Sequence, residues 1–292
     1  MKKVLVTGGC GFVGSHLVDL LLEDKNTEIH VVDNMDTGRI ENIKNHSRIK
    51  YHFKDIRNIL EDNSLVSQLA DIKVIFHLGA LARIQPSFER PNETVDVNAR
   101  GTAVVCELAR KMGAKVVYAG SSSYYGGVYL NPYSFTKWQG EEICKMYSEV
   151  YGLSTAIARF FNVYGARHPK EGPYGTVVGI FERQYEAGEA LTITGNGEQR
   201  RDFTHVADIV SGLYAMSLGE HDGDIFNLGT GTNYSINELA ELFNSDIKYI
   251  PPRPGEAWVT LADISKAKEE LKWQPNKSLE DYVNEWLQKN ER

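Results

Sequence analysis

A glycine loop set between an apolar strand and a helix constrains this chain more than any other stretch. Val4-Leu5-Val6-Thr7 runs directly into Gly8-Gly9-Cys10-Gly11-Phe12-Val13-Gly14, and a helical pattern follows from Ser15 to Glu23. In that context Gly8 makes a tight turn, Gly11 lets the backbone approach a pyrophosphate, and Gly14 allows close packing of helix on strand. The N–H groups at the helix start, around Phe12 and Val13, suit an anion. Asp33 ends the next strand, 19 residues after Gly14. A carboxylate there accepts hydrogen bonds from a ribose diol and repels a 2′-phosphate, and no arginine directly follows it. The expected cofactor is therefore NAD rather than NADP. Asp55 and Ile56, after the third strand, either border an adenine or simply cap a loop.

The first half of the chain alternates strands and helices. Strands are predicted at Lys3–Thr7, Glu28–Asp33, Ile49–Lys54, Val74–His77 and Lys115–Ala119, with helices at Ser15–Glu23, Asn58–Leu69 and Asn92–Met112. Such alternation implies a parallel sheet covered on both faces, and hence a doubly wound α/β (Rossmann) fold. After Phe160 glycine, proline and aromatic residues become frequent. Short strands such as Leu191–Thr194 alternate there with short helices such as Ile236–Phe243. We expect a dinucleotide-binding domain over residues 1–165 and a smaller α/β substrate lobe over 166–292, interleaved with it. A last helix, Ser278–Gln288, offers Tyr282, Val283, Trp286 and Leu287 as a packing face.

Composition excludes several classes of function. A net charge of −7 over 292 residues argues against a nucleic-acid or anionic-membrane partner. No run of about 18 apolar residues is present, so no membrane span is expected. The apolar run at the N-terminus is too short for a signal-peptide core. Cys10, Cys106 and Cys144 lack metal-site spacing and are too few for a disulfide framework, so no metal is expected and a reduced cytoplasmic setting fits best.

Tyr133 and Lys137 lie four residues apart in Tyr133-Ser134-Phe135-Thr136-Lys137, on one face of a helix. An unperturbed tyrosine titrates near ~10 and is a poor base at neutral pH. A protonated lysine beside it, with a positive nicotinamide ring, favours the phenolate. With the glycine loop, Asp33-Asn34, Thr37-Gly38 and Ser121-Ser122-Ser123-Tyr124-Tyr125-Gly126, this pair resembles the extended short-chain dehydrogenase/reductases. Three further stretches narrow the resemblance to the NAD-dependent nucleotide-sugar epimerases, nearest the UDP-glucose 4-epimerases. They are Arg159-Phe160-Phe161-Asn162-Val163-Tyr164-Gly165, Gly195 to Phe203, and Ala262 to Ala267, and the likeness runs from Lys3 to Trp273.

The resemblance implies that Tyr133 takes the proton from the sugar 4-hydroxyl and that Lys137 holds the ribose and lowers the tyrosine pKa. It places the strand-end catalytic hydroxyl on Ser121, although three consecutive serines leave the choice within Ser121–Ser123 open. Cofactor contacts are implied for Asn34, Thr37, Gly38, Asp55, Ile56, Leu78, Ala80, Asn98 and Phe160, and substrate contacts for Ser123, Asn162, Val177, Arg201 and Arg253. Arg200 could trade roles with Arg201. Thr260 falls where epimerases limited to unsubstituted hexoses usually carry a tyrosine, so a 2-N-acetyl group should be accepted. A homodimer is implied too, packed through the helices around residues 92–112 and 133–151, with Val105, Leu108, Ile143 and Tyr147 as candidate contacts.

The related dehydratases place an Asp-Glu pair directly after the catalytic hydroxyl, and the decarboxylases carry a glutamate in that stretch. Here those positions are Ser122 and Ser123. The expected reaction is therefore 4-epimerisation of a UDP-hexose or UDP-N-acetylhexosamine through a 4-keto sugar. A GDP- or dTDP-sugar epimerase or reductase, and a non-catalytic dinucleotide sensor, are the alternatives. One departure bears on substrate choice. Only Gly127 to Pro132 separate Gly126 from Tyr133, where the family has a much longer loop. Its loss opens one wall of the pocket or leaves another segment, such as His168–Tyr174, to close it.

Overall fold

The computed structural model describes residues 2–290. Its centre is a seven-stranded sheet made from β1 (Lys2–Thr7), β2 (Thr27–Asp33), β3 (Ile49–Phe53), β4 (Ile72–His77), β5 (Lys115–Ser121), β6 (Thr155–Phe160) and β7 (Asp222–Leu228). The spatial order is β7-β6-β5-β4-β1-β2-β3, with every neighbouring pair parallel. Strand β1 shows why both faces are covered. Val4 and Val6 join one apolar layer and Leu5 joins the other, so the strand has no face that tolerates water.

Helices α1 (Phe12–Glu23) and α5 (Val206–Leu218) cover one face with Leu17, Val18, Leu21, Ile209, Leu213 and Met216. Helices α2 (Gly101–Met112) and α3 (Pro132–Tyr151) cover the other with Val105, Cys106, Leu108 and Cys144. Val105 and Leu108 are fully buried against the sheet and cannot serve as dimer contacts; Ile143 and Tyr147 are only partly covered. Because β1 and β4 are adjacent while the chain continues from them in opposite directions, a crevice opens at their carboxyl ends.

Two strands are added to the five expected. β6 and β7 extend the sheet beyond β5, and β7 with α5 brings chain from beyond residue 166 back into the sheet layers. Two expected helices differ in form. Over 58–69 a 3-10 turn (Ile56–Glu61) gives way to a short α-helix (Asn63–Gln68), because the Asp62 carboxylate accepts the Leu65 N–H and restarts the helix. Over 91–112 the helix is continuous but widens into a π turn at Asp96–Arg100. The second lobe packs α4 (Val177–Ala187), α6 (Ile236–Leu242) and α7 (Leu279–Lys289) around Phe181, Leu191, Ile193, Leu239, Phe243 and Val283. Its strand Leu191–Thr194 pairs in parallel with Ile247–Ile250. Among the described residues no helix is long and apolar enough to cross a membrane.

Candidate active site

The glycine loop is too crowded for side chains. Gly8 holds φ at +68°, and a Cβ there would lie 2.7 Å from the backbone nitrogen of Gly79. A Cβ at Gly14 would lie 2.2 Å from the Gly8 carbonyl oxygen. The end of β1, the end of β4 and the start of α1 thus meet backbone to backbone. No acidic residue occupies the first turn of α1, so its N–H groups face an anion without competition. Asp33 is 7% exposed; one carboxylate oxygen accepts the Cys10 N–H and the other the Met35 N–H, each at 2.9 Å. Burial pushes its pKa up, and those two bonds offset only part of the rise. Asp55 both caps the following turn, accepting the Arg57 N–H at 2.9 Å, and lines the cavity.

From this loop a single cavity of about 1600 Å³ runs to Arg253. Ligand pockets usually enclose ~300–1,000 Å³, so there is room for a dinucleotide and a second ligand together. Gly8, Gly11, Phe12, Val13, Gly14, Asp33, Asn34, Thr37, Gly38, Asp55, Ile56, Leu78, Ala80 and Phe160 all line it. Ser121, Ser123, Tyr133, Lys137, Asn162, Val177, Arg201, Arg253 and Thr260 line it too. The crowded glycines, the carboxylate at Asp33 and the free helix start fit a dinucleotide.

At the cavity's middle, α3 delivers Tyr133 and Lys137, started by Asn131, whose side chain accepts the Ser134 N–H at 2.7 Å. The Tyr133 hydroxyl donates to Ser121 Oγ at 3.3 Å, and Ser121 Oγ also accepts the Ser123 N–H at 3.2 Å. Of the three serines, Ser121 is the one that the structure brings to the tyrosine. Burial raises the Tyr133 pKa, while the bond to Ser121 and the charge of Arg83 lower it. The lowering expected from Lys137 is not among these causes. Lys137 Nζ instead sits 4.5 Å over the Tyr118 ring, and burial brings its pKa down to about 8 against the opposing pull of Glu141. Beneath Ser121, Glu141 and Arg159 form a buried ion pair at 2.6 Å, with the guanidinium carbon 3.5 Å from the Tyr124 ring centroid.

In the second lobe the two adjacent arginines separate. Arg200 bonds Asn233 and Glu238 outside the cavity, whereas Arg201 lines it, 9% exposed and 3.5 Å from Glu256. Thr260 is buried, its hydroxyl bonded to Asn162 Oδ1 at 3.4 Å. The short loop before Tyr133 is backed by residues 254–257. Asn131 Nδ2 donates to the Gly255 carbonyl, Gln85 Nε2 to that of Pro254, and Gly126 packs on Ala257. Residues 167–178 form a second wall, tied across the cavity where Arg83 Nε donates to the Tyr174 carbonyl at 2.9 Å.

Asn98 departs from expectation. It is 1% exposed and does not line the cavity. The π turn directs its amide to the N–H and carbonyl of Leu81 and to Thr136 Oγ1, so it holds the β4 loop against α3 rather than touching a ligand. Arg83 and Glu256 were not anticipated from sequence. No short motif marks them; only the return of distant segments to Tyr133 and Arg201 gives them a place in the site.

The fold and site together define an NAD-dependent enzyme of the nucleotide-sugar epimerase and dehydratase class. The family model described as GDP-mannose 4,6 dehydratase matches residues 5–286, and the chain belongs to that family. It is 34% identical to a putative UDP-glucose 4-epimerase of Methanocaldococcus jannaschii, over 99% of each chain. It is 32% identical to UDP-glucuronic acid decarboxylase 6 of Arabidopsis thaliana, over 96% of this chain and 86% of the relative. Among solved structures, UDP-glucose 4-epimerase of Thermotoga maritima with UDP-glucose superposes with a TM-score of 0.91 at 30% identity, covering 99% of this chain and 100% of that one. UDP-glucuronic acid 4-epimerase of Bacillus cereus, in complex with UDP-glucuronic acid and NAD, superposes with a TM-score of 0.89 at 28% identity, covering 98% and 99%.

Proposed function

We propose that the chain is a 4-epimerase of a UDP-hexose or UDP-N-acetylhexosamine, working through a transient 4-keto sugar. The observation that carries this reading is the Tyr133–Ser121 hydrogen bond in a cavity where Ser122 and Ser123, not carboxylates, follow Ser121. Bound NAD supplies the acceptor and donor for the C4 hydride. Gly8, Gly11, Gly14 and Asp33 would hold it, and Lys137 would reach its ribose. Tyr133 takes the 4-hydroxyl proton and later returns it, with Ser121 bonding both the tyrosine and the sugar oxygen. Burial pushes the Tyr133 pKa up, and the Ser121 bond and the Arg83 charge offset part of that rise in the direction this role needs. Arg201 and Arg253 would bind the diphosphate by their planar donor forks. Elimination of water, or loss of the C6 carboxyl, calls for an acid or base beside Ser121 that positions 122 and 123 do not supply. We extend the proposal to a cytoplasmic homodimer formed through the outer faces of α2 and α3.

The test is a proton NMR time course with UDP-glucose, UDP-galactose, their N-acetyl counterparts and UDP-glucuronate. Interconversion at C4 is the expected outcome. Absence of any C4 epimer, with GDP- and dTDP-sugars also inert, would overturn the reading. In the same assay Thr260→Tyr is expected to depress turnover of the N-acetyl sugars at least ~10-fold relative to the unsubstituted ones, since a buried overpacked side chain takes the volume the substituent needs. Equal N-acetyl turnover in the two proteins would remove Thr260 from the specificity argument.

A further inference from the structure

Arg83 lines the same cavity as Tyr133, Ser121 and Ser123, and beyond its charge near Tyr133 and its tie to Tyr174 it has been given no part of a ligand to bind. It is half-buried, and among the described residues its one hydrogen bond runs from Nε to the Tyr174 carbonyl, which leaves the terminal nitrogens uncommitted. Among the described residues no carboxylate lies within ion-pair distance of it, in contrast to Arg159 with Glu141 and Arg201 with Glu256. A guanidinium withdrawn from water without an anion is costly, so a site that keeps one gains most from a ligand that brings the negative charge. Lysine would serve as a point charge, whereas arginine offers a planar fork matched to a carboxylate.

Its location selects which part of the ligand that would be. Arg83 immediately precedes the short helix Ile84–Glu89, whose Ser87 Oγ accepts the Tyr133 N–H at 3.1 Å. The arginine is thereby held close to Tyr133, whose pKa its charge lowers. Arg201 and Arg253, in the second lobe, also line the cavity and on the proposed reading are the separate cations for the diphosphate. With the 4-hydroxyl at Tyr133, the neighbouring substituents of a hexose ring are those at C3 and, through C5, at C6. Of these only C6 is readily a carboxylate. Ser123, whose buried Oγ has no hydrogen-bond partner among the described residues, lines the same cavity and offers a donor for a second carboxylate oxygen.

We propose that Arg83 is a specificity-determining residue that recognises an acidic group at C6, so that the preferred substrates are nucleoside-diphosphate hexuronic acids. This inference rests on the reading of the cavity as a UDP-sugar site, and it refines that reading at C6 independently of the N-acetyl room at C2. It does not depend on which reaction follows binding.

The test is therefore a binding measurement. Calorimetric affinities of the NAD-loaded protein for UDP-glucuronate, UDP-glucose and UDP would be compared in the wild type, Arg83→Met and Arg83→Lys. The wild type is expected to bind UDP-glucuronate at least tenfold more tightly than UDP-glucose. Arg83→Met should bring that ratio to within threefold of unity, and Arg83→Lys should give an intermediate value. UDP affinity reports whether each variant remains folded, and Arg83→Lys keeps the comparison open if the methionine variant does not. A wild-type ratio near unity, or a ratio that neither variant changes, would overturn the proposal. A uniform loss of affinity for both sugars would do so as well, because Arg83 would then act only through Tyr133 or the Tyr174 wall. Failure of 4-epimerisation would show in the NMR products and leave these affinity ratios untouched.

Discussion

Tyr133→Phe is expected to lower kcat by about 10²–10⁴-fold, the span that a positioned general acid–base group commands, with little change in stability or in affinity for UDP. The substitution removes one oxygen. In the structure that oxygen makes a single protein hydrogen bond, to Ser121 Oγ, while the ring keeps its place on α3 and the Tyr133 N–H keeps its bond to Ser87. The loss should therefore appear in kcat rather than in binding, as for an interaction made only while the proton moves. Steady-state kinetics beside calorimetry with UDP separates the two. Retained turnover in the phenylalanine variant would dismiss Tyr133 as the base and shift attention to Ser121 or a bound water.

Glu141→Ala is expected to cost about 3–5 kcal/mol of stability, the usual consequence of removing one partner of a buried ion pair. Glu141 and Arg159 have side chains only 1% and 6% exposed, and the pair joins α3 to β6 directly under Gly120 and Ser121. Without the carboxylate, Arg159 keeps its contacts with the Tyr124 and Tyr125 rings but no anion to offset its desolvation. Glu141 also lies one helical turn beyond Lys137 and, ahead of Cys144, opposes the fall in the lysine pKa that burial causes. Its removal should lower that pKa further. Urea unfolding at constant m-value measures the stability loss. A change below about 1 kcal/mol would mean that the surrounding packing, not the ion pair, holds α3 on the sheet.

What could be read from sequence followed from how local each feature is. The glycine loop, Asp33 and the Tyr133–Lys137 pair depend on spacing within one turn or one βα unit, and the cavity collects all of them. Strands β6 and β7 are harder to see. Thr155-Ala156-Ile157-Ala158-Arg159-Phe160 has two alanines and an arginine, and β7 opens with Asp222-Gly223-Asp224. Their place in the sheet comes from neighbours: Ala156 and Ala158 fit beneath one helical layer, and Arg159 is tolerated because Glu141 arrives from α3. Asn98 marks the opposite case. Its chemistry suggests a ligand contact, but the π turn uses the amide to hold backbone. Arg83 could not be assigned at all from sequence, because its partner at Tyr174 lies 91 residues further along the chain.

The most direct test of the central claim, that this site removes and restores hydrogen at C4, follows deuterium placed at C4 of the UDP-hexose during turnover in ordinary water. The account predicts a C4 epimer that keeps its deuterium at C4, with no exchange into solvent. Deuterium lost to water would point to an acidified carbon and a different reaction. Deuterium recovered at C6 of a dehydrated product would make the chain a dehydratase and contradict the account.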